Sequence, residues 1–206
     1  MTDAALILLL TGAADPVGVS IAQAVLGAGG RVAAAVPRAW QVEKVREQLL
    51  QEGVDAAALL IGVVGARDAE AAAGFVKGAT DALGAITHVA GASMLLRQRQ
   101  DQREPAGDLD ELLDANLHSN ATLTRAVLPT MRRRRSGRLV FVTQPSNTAD
   151  LSTTCRASLA AMAAFADALA LDVQSAGLQI DTVTAAVDEP LLEDWLAALH
   201  ANAGAS

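Results

Sequence analysis

Short apolar runs alternate with longer segments of helical periodicity along this chain. The runs are mostly continuous rather than alternating, which is typical of strands that are covered on both faces. They predict strands over Ala5–Leu10, Arg31–Val36, Ala56–Ile61, Ile86–Ala90, Arg138–Thr143 and Gln179–Thr184. The helical periodicity predicts helices over Val17–Leu26, Trp40–Gln51, Ala66–Leu83, Leu109–Met131 and Thr153–Ser175, with a last helix, Leu191–Asn202, after Pro190.

This order of strands and helices predicts an α/β fold, a doubly wound parallel sheet with helices on both faces. No composition shift divides the chain. The polar stretch Arg97–Asp108 resembles a loop before a long helix rather than a linker between domains. We therefore predict a single domain over residues 1–206.

Charge and cysteine content exclude several classes of function. The net charge of −7 argues against nucleic acid, whose binding needs clustered cations. The basic run Arg132–Arg135 is interpreted as the cationic end of a helix, with contact to an acidic partner as the alternative. A single cysteine allows no disulfide within the chain, and the three histidines lack metal-ligand spacing.

The chain shows no predicted association with a membrane. The apolar run Leu6–Leu10 is too short for a signal peptide and follows Asp3 rather than basic residues. No segment approaches the roughly 18 apolar residues of a membrane span. A cytoplasmic location is the resulting expectation.

A candidate phosphate-binding loop follows the first strand. Gly12 and Gly18 suit a turn whose backbone N–H groups and helix N-terminus face a pyrophosphate. Pro16, however, has no N–H to donate, and Asp15 adds a negative charge. Two interpretations stay open: a tight turn without a ligand, or residual nucleotide binding. Arg38, just past the second strand, suits the 2′-phosphate of NADP, although a solvated arginine is equally consistent.

The motifs of the second half of the chain carry a family resemblance. These are Asp-Ala-Asn-Leu at Asp114–Leu117, Thr-Arg-Ala-Val-Leu-Pro at Thr124–Pro129 and Ser-Gly-Arg-Leu-Val-Phe-Val at Ser136–Val142. Together with Thr11-Gly12 they resemble the compact short-chain dehydrogenases/reductases over nearly the whole chain. The resemblance implies a Rossmann-like sheet and an ancestry among NAD(P)-dependent oxidoreductases.

Catalysis in that family uses Asn, Ser, Tyr and Lys, and most of these residue types are missing here. Asn116 matches the asparagine. The serine position falls on Gln144, with Ser146 two places further on, the tyrosine on Cys155 and the lysine on Leu159. The chain contains no tyrosine at all. The resemblance therefore implies a degenerate member without the acid/base tyrosine and its lysine.

Other family positions depart in the same direction. The acidic residue after the third strand is Gly62, and the Asn-Asn-Ala-Gly after the fourth strand has contracted to Val89–Gly91. The Pro-Gly after the sixth strand is Ala185-Ala186. Because the sequence stops about one helix later, we expect a fold truncated at the C-terminus, without the seventh strand and the long substrate lid.

Two hypotheses about function follow. The first is a non-catalytic subunit of an oxidoreductase, inactive alone, that pairs with an active short-chain dehydrogenase through helices 109–131 and 153–175. The second of these helices is apolar nearly all round, beyond what one buried face requires. The alternative is an NADP-binding sensor or a non-redox enzyme of cyclase or dehydratase type. No bound cofactor is expected under the first hypothesis.

Overall fold

A computed structural model describes residues 6–51, 53–99, 108–144 and 149–184. Its strands are β1 Ile7–Thr11, β2 Arg31–Val36, β3 Leu59–Val63, β4 His88–Gly91, β5 Gly137–Thr143 and β6 Leu178–Thr184. They form one 6-stranded sheet in the order β3-β2-β1-β4-β5-β6. All five strand pairings are parallel. The predicted Rossmann-like fold class is confirmed.

Six α-helices connect the strands of the described residues. They are α1 Pro16–Gly27, α2 Gln41–Leu49, α3 Ala69–Leu83, α4 Asp108–Leu113, α5 Ser119–Arg134 and α6 Thr153–Val173. A five-residue π-helix, Asp114–His118, joins α4 to α5. Short 3-10 turns precede β3 at Ala56–Ala58 and follow α6 at Gln174–Ala176.

The helices cover both faces of the sheet because neighbouring strand residues point in opposite directions. In β1, Leu8 and Leu10 contribute to the core beneath α1 and α2. Leu9 of the same strand contributes to the core beneath α3, α5 and α6. The continuous apolar runs of the sequence are explained by this two-sided burial.

Several element boundaries differ from the sequence prediction, among them the start of β3 and the helix over 109–131. Strand β3 begins at Leu59 rather than Ala56, because Asp55 accepts a hydrogen bond from the Ala57 N–H (2.9 Å) and caps a 3-10 turn. The predicted helix 109–131 is divided by the π-helix and continues to Arg134. The predicted helix Leu191–Asn202 lies outside the described residues.

The run Arg132–Arg135 ends α5, as predicted. The guanidinium of Arg134 donates to the carbonyl oxygen of Ile86 (2.5 Å) and that of Arg135 to Ser175 (3.1 Å). Arg135 adopts a left-handed conformation, with φ of 53°, at the helix C-cap. These arginines therefore satisfy carbonyl groups at the ends of neighbouring elements.

Helix α6 and the turn after it, Thr153–Ala176, are long and apolar enough to cross a membrane by length and composition alone. One such helix is weak evidence of a span, since core helices pass the same test. Here α6 packs against β5 and β6 through Met162, Ala166 and Leu169.

His88 occupies a half-buried position at the start of β4, in register with Leu8 of β1 and Arg138 of β5. Its Nδ1 atom lies 2.9 Å from the Thr87 hydroxyl. Burial, together with the positive charge of Arg138, lowers the pKa of His88 from 6.5 to about 4. The folded protein therefore holds this imidazole neutral at pH 7.

We predict that folding stability falls as the pH drops from about 6.5 towards about 4, because the unfolded chain takes up a proton at His88 first. The expected loss from this site is about 1–3 kcal/mol in the free energy of unfolding. Urea unfolding of the wild type and of His88→Asn across this pH range checks it. The wild type should lose more stability than the variant; equal losses would contradict the assignment to His88.

Candidate functional site

The carboxyl edge of the sheet contains the point where the strand order reverses. The chain passes from β1 outwards to β3 and then returns to the other side of β1 as β4. Open parallel sheets bind their ligands in the crevice at such a switch point. The loops that follow β1 and β4 therefore form the candidate site.

The loop after β1 depends on its two glycines. Gly12 has a φ of +66°, and a Cβ atom added to it would lie 2.5 Å from the Ala92 carbonyl oxygen. A Cβ atom on Gly18 would lie 2.0 Å from the carbonyl oxygen of Gly12. Both glycines permit close approach of backbones, so the turn keeps the shape of a phosphate-binding loop.

Asp15 and Pro16 change the chemistry of this loop. Asp15 is the N-cap of α1, yet its carboxylate caps none of that helix's N–H groups. Instead it accepts a hydrogen bond from the Met94 N–H (3.4 Å) in the loop after β4. Burial raises the pKa of the Asp15 carboxyl, and the Met94 hydrogen bond opposes this rise. Pro16 occupies the first helical position and lacks an N–H.

Asn120 ties the loops after β1 and β4 together from α5. Its side-chain oxygen contacts the Thr11 hydroxyl and accepts from the Ser93 N–H (3.2 Å). Its amide nitrogen donates to the Ser93 carbonyl oxygen (3.0 Å) and to that of Asn116 (3.0 Å). The Thr11 hydroxyl also accepts from the Ala92 N–H (3.0 Å). This buried network holds the switch point together.

Asn116 lies on the π-helix and is also fully engaged. Its side-chain oxygen accepts from the Leu95 N–H (2.5 Å), and its amide nitrogen donates to the Leu95 carbonyl oxygen (3.0 Å). The same nitrogen donates to the hydroxyl of Ser158 (2.8 Å) on α6. The Asn116 side chain therefore joins the π-helix to the loop after β4 and to α6.

Cys155 and Leu159 lie on α6 in an apolar cluster with Leu112, Leu151 and the partly buried Met94 and Leu95. Cys155 has 0% of its surface exposed and Leu159 3%. The Cys155 sulfur accepts from the Arg97 N–H (3.4 Å) and lies 3.8 Å from the Leu95 carbonyl oxygen. These two positions therefore belong to the protein core.

The segment Ala92–Arg99, which follows β4, covers this cluster. The Ser152 N–H donates to the Arg97 carbonyl oxygen (2.9 Å), and Gln98 forms an antiparallel bridge with Leu151. The Arg97 guanidinium pairs with Asp108 (3.2 Å) and Glu111 (2.5 Å) at the start of α4. Backbone and ionic contacts thus hold the segment on top of Cys155.

The remaining predicted positions are less closely associated with the switch point. Arg38 is exposed, and its N–H donates to the Gln41 side chain (3.0 Å). Gln144 follows β5 and is half-buried. A Cβ atom on Gly62 would lie 2.4 Å from the Phe75 ring, so that ring fills the space beside the position of the expected acidic residue.

Ser146 and Ala185-Ala186 lie outside the described residues. Within the described part of the chain, no group of three His, Cys, Asp or Glu side chains is arranged to hold a metal ion.

The sequence interpretation missed Asn120, Ser158 and Arg97. Asn120 follows Asn116 by one helical turn, so the shared face of two asparagines was an available signal. Ser158 lies between Cys155 and Leu159 on α6. No local pattern distinguishes Arg97 from the other polar residues of its loop.

The chain belongs to the short chain dehydrogenase family, whose family model matches residues 6–194. Members of this family usually bind NAD(P).

The sequences of similar proteins are less than one third identical to this chain. A Drosophila melanogaster protein, dehydrogenase/reductase SDR family protein 7-like, is 28% identical over 86% of this chain and 56% of its own length. A short chain dehydrogenase of Pseudocercospora fijiensis is 27% identical over 82% of this chain and 55% of its own. The chain thus spans little more than half the length of these curated relatives.

Solved structures share the fold. A metagenomic short-chain oxidoreductase in complex with NADP has a TM-score of 0.79 at 16% identity, over 100% of this chain and 94% of that one. A short-chain type dehydrogenase/reductase from Mycobacterium marinum has a TM-score of 0.76 at 18% identity, over 87% and 73% of the two chains.

The residues around the switch point fit a dinucleotide only in part. Gly12 and Gly18 keep the tight turn and the close packing of α1 on the end of β1, whereas Pro16 stands where the glycine that admits a pyrophosphate would be. The Asp15 carboxylate and the missing N–H of Pro16 oppose an anion, and the Phe75 ring beside Gly62 leaves no room for an acidic side chain. The site therefore disagrees with NAD(P) in charge and in donor groups rather than in backbone shape.

We predict that restoring the family residues with Cys155→Tyr/Leu159→Lys destabilises the chain without creating a reductase. A phenol overpacks a filled cluster and an ammonium is buried without a partner, so the expected loss is about 3 kcal/mol or more. Urea unfolding and NADPH oxidation with a ketone panel check it. The matched control is Ala160→Tyr/Ala164→Lys, at exposed positions of the same helix. A stable, ketone-reducing variant would contradict the prediction.

Proposed function

We propose that this chain is a non-catalytic subunit that pairs with an active NAD(P)-dependent short-chain dehydrogenase or ketoreductase and supports its activity. The observation that carries the proposal is the burial of the two positions that correspond to the catalytic tyrosine and lysine. Cys155 and Leu159 lie in an apolar cluster under the segment Ala92–Arg99. Neither side chain reaches a crevice in which a carbonyl substrate could be reduced.

The polar groups nearby support the same proposal. The side-chain oxygen of Asn116 accepts a hydrogen bond from Leu95, and its amide nitrogen donates to Leu95 and Ser158. The Ser158 hydroxyl in turn donates to the Cys155 carbonyl oxygen (2.8 Å). General acid/base catalysis needs a group within hydrogen-bond reach of the substrate. In this arrangement these side chains stabilise the fold instead.

The outer face of α6 supports pairing with another chain. Its exposed positions include small apolar residues at helical spacing, followed by Leu171, which is 76% exposed. These residues are Ala157, Ala160, Ala164, Ala168 and Leu171. A helix that is apolar on its solvent side as well as its core side suits a helical bundle between two chains. We place the partner's corresponding helices on this face and beside the segment 109–131.

A second candidate, an NADP-binding sensor or a non-redox enzyme, is favoured by one observation. Gly12 and Gly18 keep a tight loop between β1 and α1. No described group of side chains specifies a reaction of cyclase or dehydratase type. Calorimetry with NADPH separates the candidates, since micromolar binding by the wild type supports the second one.

We predict that Ala164→Glu weakens pairing while leaving the isolated chain folded. The substitution places a charge without a partner in the middle of a helix–helix interface, which should weaken association at least about tenfold. The measurement is co-expression with a neighbouring paralogue that has an intact Tyr-x-x-x-Lys motif, followed by affinity co-purification and assay of ketone reduction.

The matched control is Ala73→Glu, at an exposed alanine on α3. It should co-purify like the wild type. A wild-type chain that stays monomeric and leaves the paralogue's activity unchanged would refute the subunit proposal. An isolated wild-type chain that reduces a ketone with NADPH would refute it as well.

A further inference from the structure

We propose that Asp15 acts as a built-in anion at the switch point and that, together with Pro16, it excludes the pyrophosphate of a dinucleotide from a loop that otherwise keeps the shape to bind one. This inference deepens the proposed function, because it names the residues that remove cofactor binding. It concerns the isolated chain and does not depend on any partner.

The Asp15 carboxylate joins the loop after β1 to the loop after β4. Asp15 follows β1 and Met94 follows β4, the two neighbouring strands between which the sheet order reverses. The hydrogen bond from the Met94 N–H to Asp15 Oδ2 (3.4 Å) therefore spans the crevice where an open parallel sheet receives its ligand. A donor that faces this crevice is thus directed at the chain's own carboxylate.

The negative charge of the Asp15 carboxylate opposes a phosphate at the same place. The N-terminus of a helix attracts anions because its first N–H groups are unpaired and its dipole is positive there. Asp15 supplies a negative charge at the start of α1 while capping none of its N–H groups. A second anion brought to the same place is repelled in a half-buried site, where water screens the charges weakly.

Pro16 contributes separately through a missing donor. A helix has only four free N–H groups at its start, and proline at the first position removes one of them. The backbone around it remains compact: the Asp15 N–H donates to the Gly12 carbonyl oxygen (2.9 Å), and the Val19 N–H to the Asp15 carbonyl oxygen (2.9 Å). The shape of the loop is thus retained while its charge and one donor have changed.

The experiment tests whether substitution of Asp15 increases the affinity of the chain for NADPH. NADPH is titrated into the wild type, Asp15→Asn, Asp15→Ser and Asp15→Ser/Pro16→Gly, with calorimetry and nicotinamide fluorescence as readouts. We expect Asp15→Ser to bind NADPH at least about tenfold more tightly than the wild type, since the like-charge repulsion is gone. Asp15→Asn should gain affinity as well, because it removes the charge with little change of shape. The double variant should bind most tightly.

The matched control is Asp68→Asn. Asp68 also stands at a helix N-terminus after a strand, but its carboxylate caps α3 by accepting from the Ala71 N–H (2.9 Å). This variant should keep the wild-type affinity for NADPH. A gain in affinity equal to that of Asp15→Asn would mean that the net charge of the chain, rather than the position of Asp15, weakens binding, and it would overturn the inference. Thermal unfolding verifies that each variant is folded.

Two further results would overturn the inference. One is a wild type that binds NADPH as tightly as the Asp15 variants. The other is a set of folded variants, the double variant included, that gain no binding. These outcomes are distinct from failure of the proposed function, which is measured by co-purification with the paralogue. A chain that pairs normally yet gains no NADPH binding after substitution would overturn this inference alone.

Discussion

The segment after β4 crosses the carboxyl edge of the sheet, where its partly buried backbone groups need hydrogen-bond partners. Thr11, Asn116 and Asn120 supply most of them, and the Cys155 sulfur supplies another. An unpaired buried N–H or carbonyl group costs about 1–3 kcal/mol, so these bonds strongly constrain the arrangement. The Asn116 and Asn120 side chains are thus engaged with the chain's own backbone.

These hydrogen bonds to the segment after β4 connect the loop after β1 with the π-helix. In the first half, Asp15 bonds to Met94, and in the second half Asn116 bonds to Leu95, the next residue along the same segment. The segment therefore contacts the loop after β1 through Met94 and α6 through Leu95.

The outer face of α6 has the opposite character. Whereas the polar groups of the edge are paired, this face leaves Leu171 and four alanines exposed. A contiguous apolar stripe on a long helix favours contact with another helix. The proposed role as a subunit combines these two features: polar groups that are paired at the edge of the sheet and an exposed apolar stripe on α6.

The sequence by itself determined the parallel α/β sheet, because buried strands and helices leave periodic patterns within about 20 residues. It also indicated the family, through its motifs, and it contains no tyrosine. The tertiary structure alone decided which partner each polar group takes. The contact of Thr11 with Asn120 joins residues 109 positions apart, and that of Arg97 with Cys155 joins residues 58 apart. No local pattern encodes such pairs. The π-helix that orients Asn116 and the closure of the segment over Cys155 likewise depend on long-range packing.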